Sequence, residues 1–116
     1  MNTMTSLLRR HARGVYAKDA SGKARNWDDP CAVSFCLAGA LHRVLQERGL
    51  ENLYPVVASR VARFIDGGVS SNLTDQETII EFNDARTTQA GDLHKVAVYV
   101  DRVIDACQEL VDACQE

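Results

Sequence analysis

The sequence lacks the long apolar run that a membrane-spanning helix requires. Such a helix needs about 20 consecutive apolar residues, and charged residues interrupt every apolar stretch here well before that length. The N-terminus also lacks the apolar core of a secretory signal, because Leu7 and Leu8 are followed at once by Arg9, Arg10 and His11. We therefore expect a cytoplasmic protein without membrane contacts, whose cysteines stay mostly reduced.

The sequence also lacks an excess of positive charge. Its net charge of -3 excludes a general attraction to nucleic acid, although it permits a local basic patch. One basic cluster stands out, Arg9, Arg10 and Arg13, on a short helix that we predict over about Leu7–Arg13. This cluster is interpreted either as a solvated face or as a contact to an acidic partner or a phosphate. Nucleic acid is its less favoured partner.

Groupings of residues typical of metal, phosphate or nucleophilic chemistry are missing. The four cysteines form no Cys-x-x-Cys pair, and the three histidines are scattered, so no zinc-like spacing is present. The Gly67-Gly68 pair lacks the Gly-Lys-Ser/Thr context of a phosphate-binding loop. We predict no catalytic residue, no metal site and no cofactor, and we expect the cysteines to be free and buried in the core.

What is present is a set of helical patterns, of which the clearest lies within Trp27–Gly49. Pro30 suits the first position of a helix and Asp29 suits its N-cap. The pattern predicts a buried central helix over about residues 30–48, ended by Gly49. A glycine inside it, Gly39, predicts a close approach by another backbone, because glycine otherwise costs a helix roughly 1 kcal/mol.

The other segments predict a mainly α single domain over residues 1–116, with about five helices packed around the central one. Residues 15–26 read as a small β-hairpin, with Tyr16 and Trp27 packing near its base. Gly67-Gly68 is predicted to end a helix whose apolar side carries Val57, Val61, Phe64 and Ile65. The capping box Thr74-Asp75-Gln76-Glu77 is predicted to begin the next helix, and Asn83-Asp84 to end it.

The last helix carries apolar residues at alternating three- and four-residue steps, the spacing of a coiled-coil seam. They are Leu93, Val96, Val100, Val103, Cys107, Leu110 and Cys114. Residues 106–116 are predicted as an extension that protrudes from the domain, and a homodimer is predicted through a seam of Val100, Val103, Cys107, Leu110 and Cys114. In a parallel dimer Cys107 or Cys114 could form an interchain disulfide. The alternative is a long helix docked along its own domain.

A polar group at the junction before the last helix is the most suggestive candidate site. It comprises Asn83, Asp84, Arg86, Thr87 and Thr88. One interpretation is structural, with these residues capping two helix ends and an Asp–Arg pair tying the loop. The other is a small-ligand or enzymatic site around Cys36 and Asn83–Asp84.

Two motifs resemble those of a family of small bacterial and phage proteins to which no function is assigned. They are D-P-C-A-V-S-F-C-L-A-G-A-L over Asp29–Leu41 and F-N-D-A-R-T-T over Phe82–Thr88. The resemblance covers most of residues 5–105; Phe82 stands where the family usually has Trp, and the Cys-rich tail is specific to this sequence. It implies a phage or accessory-genome setting and no particular activity.

Three function classes follow. The leading hypothesis is a non-catalytic module that binds another protein by occupying its surface, for example as an inhibitor of a host defence system such as CRISPR. The second is the small-ligand or enzymatic site at Cys36 and Asn83–Asp84. The third is nucleic-acid binding through the arginine cluster, joined by Arg60 and Arg63.

Overall fold

The computed structural model describes residues 2–67 and 73–114 and confirms the mainly α fold with a small sheet. In chain order the elements are α1 (Met4–Leu7), β1 (Ala17–Lys18), β2 (Ala24–Arg25), β3 (Ser34–Phe35), α2 (Leu37–Glu47), a 3-10 turn (Glu51–Leu53), α3 (Tyr54–Asp66), α4 (Asp75–Asp84) and α5 (Ala90–Cys114).

The central helix is buried as predicted, but the predicted start at Pro30 is wrong. Helix α2 begins at Leu37, and Cys36 is its N-cap, with its sulfur accepting a hydrogen bond from Gly39 N at 3.2 Å. Asp29 instead closes a turn, because its carboxylate accepts from Cys31 N at 2.7 Å and its carbonyl accepts from Ala32 N at 3.0 Å. The residues after this turn pair with β1 as strand β3, so they cannot be helical.

The predicted hairpin is present as β1 and β2, and β3 adds a third strand that the sequence did not reveal. The strand order is β2-β1-β3 with both pairings antiparallel, and Ala17 lies opposite both Arg25 and Phe35. Asp19 holds the hairpin turn by accepting from Ser21 N, Ser21 Oγ, Lys23 N and Arg25 Nε. The hydrogen bonds from Ser21 and Arg25 lower the pKa of Asp19 well below its usual range.

The close approach predicted at Gly39 is confirmed. A Cβ at this position would lie 2.2 Å from the carbonyl oxygen of Tyr16. That same oxygen accepts a hydrogen bond from Cys36 N at 3.0 Å. The segment leading into β1 therefore crosses the first turn of α2 at backbone distance.

The first helix is displaced from the predicted Leu7–Arg13. Helix α1 is a single turn capped by Thr3, whose hydroxyl accepts from Ser6 N at 3.1 Å. The following segment pairs with Phe35 instead of continuing the helix, because Phe35 N donates to Arg10 O and Ala12 N donates to Phe35 O, both at 2.9 Å.

Several smaller predictions are resolved in the rest of the fold. The Thr74–Glu77 capping box opens α4, Gly67 ends α3 in the left-handed conformation, and Gly68 lies outside the described residues. Phe64 is 45% exposed and stacks on Tyr99 rather than lying in the core. The expectation of buried cysteines holds only for Cys36, since Cys31 and Cys114 are exposed and Cys107 is half-buried.

Candidate binding groove and the Asn83 junction

Asn83, near the end of α4, is a buried polar residue whose side chain connects three parts of the chain. It is 1% exposed, and its amide oxygen accepts from Leu37 N at 2.8 Å and from His11 Nε2 at 2.6 Å. Its amide nitrogen donates to Ala12 O at 3.0 Å and to Asp84 Oδ1 at 2.9 Å. All the hydrogen-bonding capacity of this side chain is therefore used to join α4, the start of α2 and the N-terminal segment.

Of the other four residues in the predicted polar group, Asp84 and Thr88 take part in the same junction, and Arg86 and Thr87 do not. Arg13 donates to the carbonyl oxygens of Asn83 at 3.4 Å and of Thr88 at 3.1 Å, and Asp84 accepts from Gly14 N at 3.0 Å. Thr88 is buried, whereas Thr87 and Arg86 are exposed, and neither contributes to this network. The tie across the loop is thus made by Arg13 from the N-terminal segment and not by the predicted Asp–Arg pair within the loop.

A small cavity connects this junction to Cys36. Its volume is about 140 Å³, and its lining is Gly14, Val15, Tyr16, Cys36, Ile80, Asn83 and Asp84. This volume is below the roughly 300–1,000 Å³ of typical ligand pockets. Burial raises the pKa of the Cys36 thiol, which favours its protonated form. The fold therefore does place Cys36 beside Asn83–Asp84, but around a space that accommodates only a few heavy atoms.

A larger groove lies between the N-terminal segment and the first turns of α5. Its volume is about 390 Å³, and its lining is Thr5, Leu8, Arg9, His11, Arg13, Ala90, Leu93, His94 and Ala97. The apolar members form its floor, since Leu93 and Ala97 are buried and Leu8 is half-buried against the core. Two of the exposed lining residues, Arg9 and Arg13, give its rim positive charge, and His94 is also exposed there. None of the described residues that line the groove is acidic.

Asp101 on α5 determines how the two walls of this groove face each other. Its carboxylate accepts from Met4 N at 2.7 Å and from both the amide and the hydroxyl of Thr5, at 3.2 and 3.1 Å. These bonds fasten α1 to α5, and the arginine segment follows directly from α1. The sequence did not predict the contribution of His11 and His94 to the groove, because that contribution depends on the packing of chain segments more than 75 residues apart.

A second cluster that the sequence did not reveal surrounds His42 on α2. Its ring stacks on Tyr54 at 3.8 Å and on Trp27 at 5.0 Å between ring centres, and Tyr16 meets it edge-on at 6.4 Å. Tyr54 Oη donates to Gln76 Oε1, and Gln76 Nε2 donates to Tyr16 Oη at 3.2 Å. Burial lowers the pKa of His42 and raises the pKa of Tyr54 to about 12. This cluster anchors the base of the hairpin on α2.

A family model matches residues 2–106 of the chain. The chain belongs to DUF6197, a family of unknown function. No curated protein and no solved structure matches it. The DUF6197 match includes the basic groove, the Asn83 junction and the His42 cluster, and it ends within α5, so that residues 107–114 extend the helix beyond the family region.

This last part of α5 carries most of the predicted dimer seam. Val100 is fully buried in its own domain, and Val103 and Cys107 are half-buried against the core. Leu110 is 69% exposed and Cys114 is also exposed, so these two are the seam residues accessible to a partner. Residues 115–116 of the predicted extension lie outside the described residues.

Two further absences concern the part of this DUF6197 member that the structure describes. None of its described helices combines the length and the apolar character needed to cross a membrane. Among the described residues, no three or more His, Cys, Asp or Glu side chains are grouped so that they could hold a metal ion.

Proposed function

We propose that this chain is a non-catalytic module that binds another protein by taking an acidic segment of that protein into the basic groove. The observation that carries the proposal is the groove itself, in which the cations Arg9 and Arg13, together with His94, surround an apolar floor, and none of the lining residues is acidic. This positive surface lies on a chain whose net charge is -3, so it is a local feature and not a consequence of composition.

The apolar floor favours a protein partner over nucleic acid. Leu8, Leu93 and Ala97 offer contacts to an aliphatic side chain, whereas a phosphate backbone needs mainly cationic and hydrogen-bonding groups. A long polyanion would also meet repulsion from the acidic remainder of the surface. An acidic helix or loop with an apolar residue next to its carboxylates matches both parts of the groove.

Charge alone predicts a modest affinity for this partner. Solvent-exposed ion pairs contribute about 0–1 kcal/mol each and are screened by salt. Specificity would therefore come from the combination of several carboxylates with the apolar contact, and charge would act mainly on the association rate.

The test is fluorescence anisotropy with a labelled helical peptide. Its Glu and Leu residues repeat at three- and four-residue steps, so that carboxylates and apolar side chains lie next to each other on one helix face. We expect saturable binding that weakens between about 0.1 M and about 1 M salt, over which the screening length falls from about 10 Å to about 3 Å. Arg9→Glu should weaken binding about tenfold, equivalent to about 1.4 kcal/mol. The matched control Arg60→Glu, an exposed residue of α3, should leave binding unchanged.

The proposal fails if the peptide does not bind, and two further results would overturn it. One is peptide binding that does not respond to Arg9→Glu. The other is tighter binding, lost with Arg9→Glu, to a mixed-sequence DNA duplex or RNA strand than to the peptide, which would favour the nucleic-acid alternative.

The biological setting of this binding is likewise a proposal. The motif resemblance points to a phage or accessory-genome protein, in which the groove would occupy a surface of a host defence protein and so inhibit it. A cytoplasmic location is supported by the four free cysteines, which are typical of a reducing compartment.

A further inference from the structure

We infer that one acidic partner of the groove is the end of helix α5 in a second copy of this chain. The inference rests on the proposed function and names a partner for the same groove.

The end of α5 is uniformly acidic. After Arg102 the helix contains Asp105, Glu109 and Asp112 and no Lys or Arg. Their spacing of four and three residues places the three carboxylates on one helix face. All three residues are exposed; Asp105 pairs with Arg48 and still has a side chain that is 62% exposed. This face, defined by Asp105, Glu109 and Asp112, is called the acidic face below.

The acidic face cannot enter the groove of its own molecule. The first turns of α5 form one wall of the groove, and the acidic face lies near the end of the same helix. Glu109 follows His94 by 15 residues of continuous helix, which corresponds to about 22 Å at about 1.5 Å per residue. The helix keeps them apart, so a copy of the acidic face that meets the groove must come from another molecule.

Charge complementarity then connects the two surfaces. The residues that line the groove include two arginines and no acid. On the acidic face Asp105 already pairs with Arg48, whereas none of the described ion pairs involves Glu109 or Asp112. The charges of these two carboxylates are therefore complementary to the groove. The groove lies inside the family region, whereas Glu109 and Asp112 lie beyond residue 106, where that region ends. Self-association of this kind is thus a property that the extension adds to the family domain.

This contact differs from the predicted apolar seam in how it responds to salt. An association held by the acidic face weakens as salt screens its charges. An association through Leu110 and Cys114 would persist or strengthen at high salt, because burial of apolar surface is not screened.

The experiment is sedimentation equilibrium of the full chain in reducing buffer at low and high salt. We expect association at about 0.1 M salt that is lost at about 1 M. The tail reversal Glu109→Lys/Asp112→Lys and the groove reversal Arg9→Glu/His94→Glu should each weaken association about tenfold or more. The four substitutions combined should restore it, because the groove then carries added negative charge and the tail positive charge, so that the two surfaces are again complementary.

A matched control keeps these results separable from folding and from net charge. Glu51→Lys/Glu81→Lys makes the same charge change as the tail reversal at exposed positions outside both surfaces, and should leave association unchanged. Each variant is first shown by circular dichroism to keep its helical content and cooperative melting. A monomeric wild-type chain, an association that survives 1 M salt, or a fourfold variant that stays monomeric would overturn the inference.

Failure here is distinguishable from failure of the proposed function. If the chain is monomeric while the Glu- and Leu-containing peptide binds the groove and responds to Arg9→Glu, only the second-copy inference is overturned. If the peptide does not bind, the proposed function fails, and the second-copy inference fails with it.

Discussion

At the scale of single residues, the missing side chain of Gly39 allows the chain before β1 to cross α2. The carbonyl oxygen of Tyr16 occupies the space where a Cβ would stand and accepts the amide of Cys36. The crossing also brings Tyr16 to the ring of His42. The absence of a Cβ at Gly39 therefore allows the sheet, the central helix and the His42 cluster to pack together.

We predict that Gly39→Ala destabilises the protein, although alanine is the better helix former by about 1 kcal/mol. The clash with a backbone oxygen forces a shift, and overpacking of this kind typically costs about 1–3 kcal/mol. The measurement is urea unfolding followed by circular dichroism. Gly91→Ala is the matched control, since a Cβ there meets nothing within 4 Å and α5 should become slightly more stable. Equal stability of the two variants would contradict the proposed crossing.

At the scale of secondary-structure elements, the ends of α4 have different kinds of partner. Its start is held locally, since Thr74 Oγ1 accepts from Glu77 N at 3.1 Å and Glu77 Oε1 accepts from Thr74 N at 3.3 Å. Its end is held by Asn83, which bonds to residues 46 to 72 positions away. The capping of the start of α4 could be predicted from the sequence. The long-range hydrogen bonds of Asn83 at its end could not, because their partners are distant in the chain.

We predict that Thr74→Ala lowers the free energy of unfolding by about 1 kcal/mol, the usual cost of losing an N-cap side chain. Thermal or urea unfolding measures the change. Thr87→Ala, which removes an exposed hydroxyl outside any helix, should change stability by less than about 0.5 kcal/mol. A Thr74→Ala protein as stable as the Thr87→Ala protein would show that the cap contributes nothing.

The same division explains what the sequence could reveal of the fold and the site. Local signals predicted the helical class, the hairpin, the Thr74 cap and the end at Gly67. The start of α2 was predicted wrongly because Asp29 and Pro30 suit a turn as well as a helix, and only pairing with β1 decides between them. The arginine cluster was visible, but its groove was not, because His94 joins it through the packing of α1 on α5.

At the scale of the whole molecule, pH should act on stability through His42. Burial between Trp27 and Tyr54 lowers the pKa of this histidine, so the folded protein binds its proton less readily than the unfolded chain does. Stability from neutral His42 is therefore fully present above the unfolded pKa of about 6.5 and is lost as pH falls through the folded pKa.

We predict that the free energy of unfolding falls as the pH is lowered through the range just below about 6.5. Urea unfolding at a series of pH values measures this dependence. His42→Phe keeps a ring in the stack and removes the titrating group, so its stability should fall less over the same range. A variant with the same pH dependence as the wild type would assign the effect to other groups.

The central claim, that the basic groove is the surface that binds a partner, is tested most directly by nuclear magnetic resonance. Amide shifts of the labelled protein would be followed as the Glu- and Leu-containing peptide is added at low salt. The account predicts that the largest changes fall on residues 5–13 and 90–97, the two walls of the groove, and that Arg9→Glu suppresses them. Changes concentrated on α3, α4 or the His42 cluster, or no changes at saturating peptide, would contradict it.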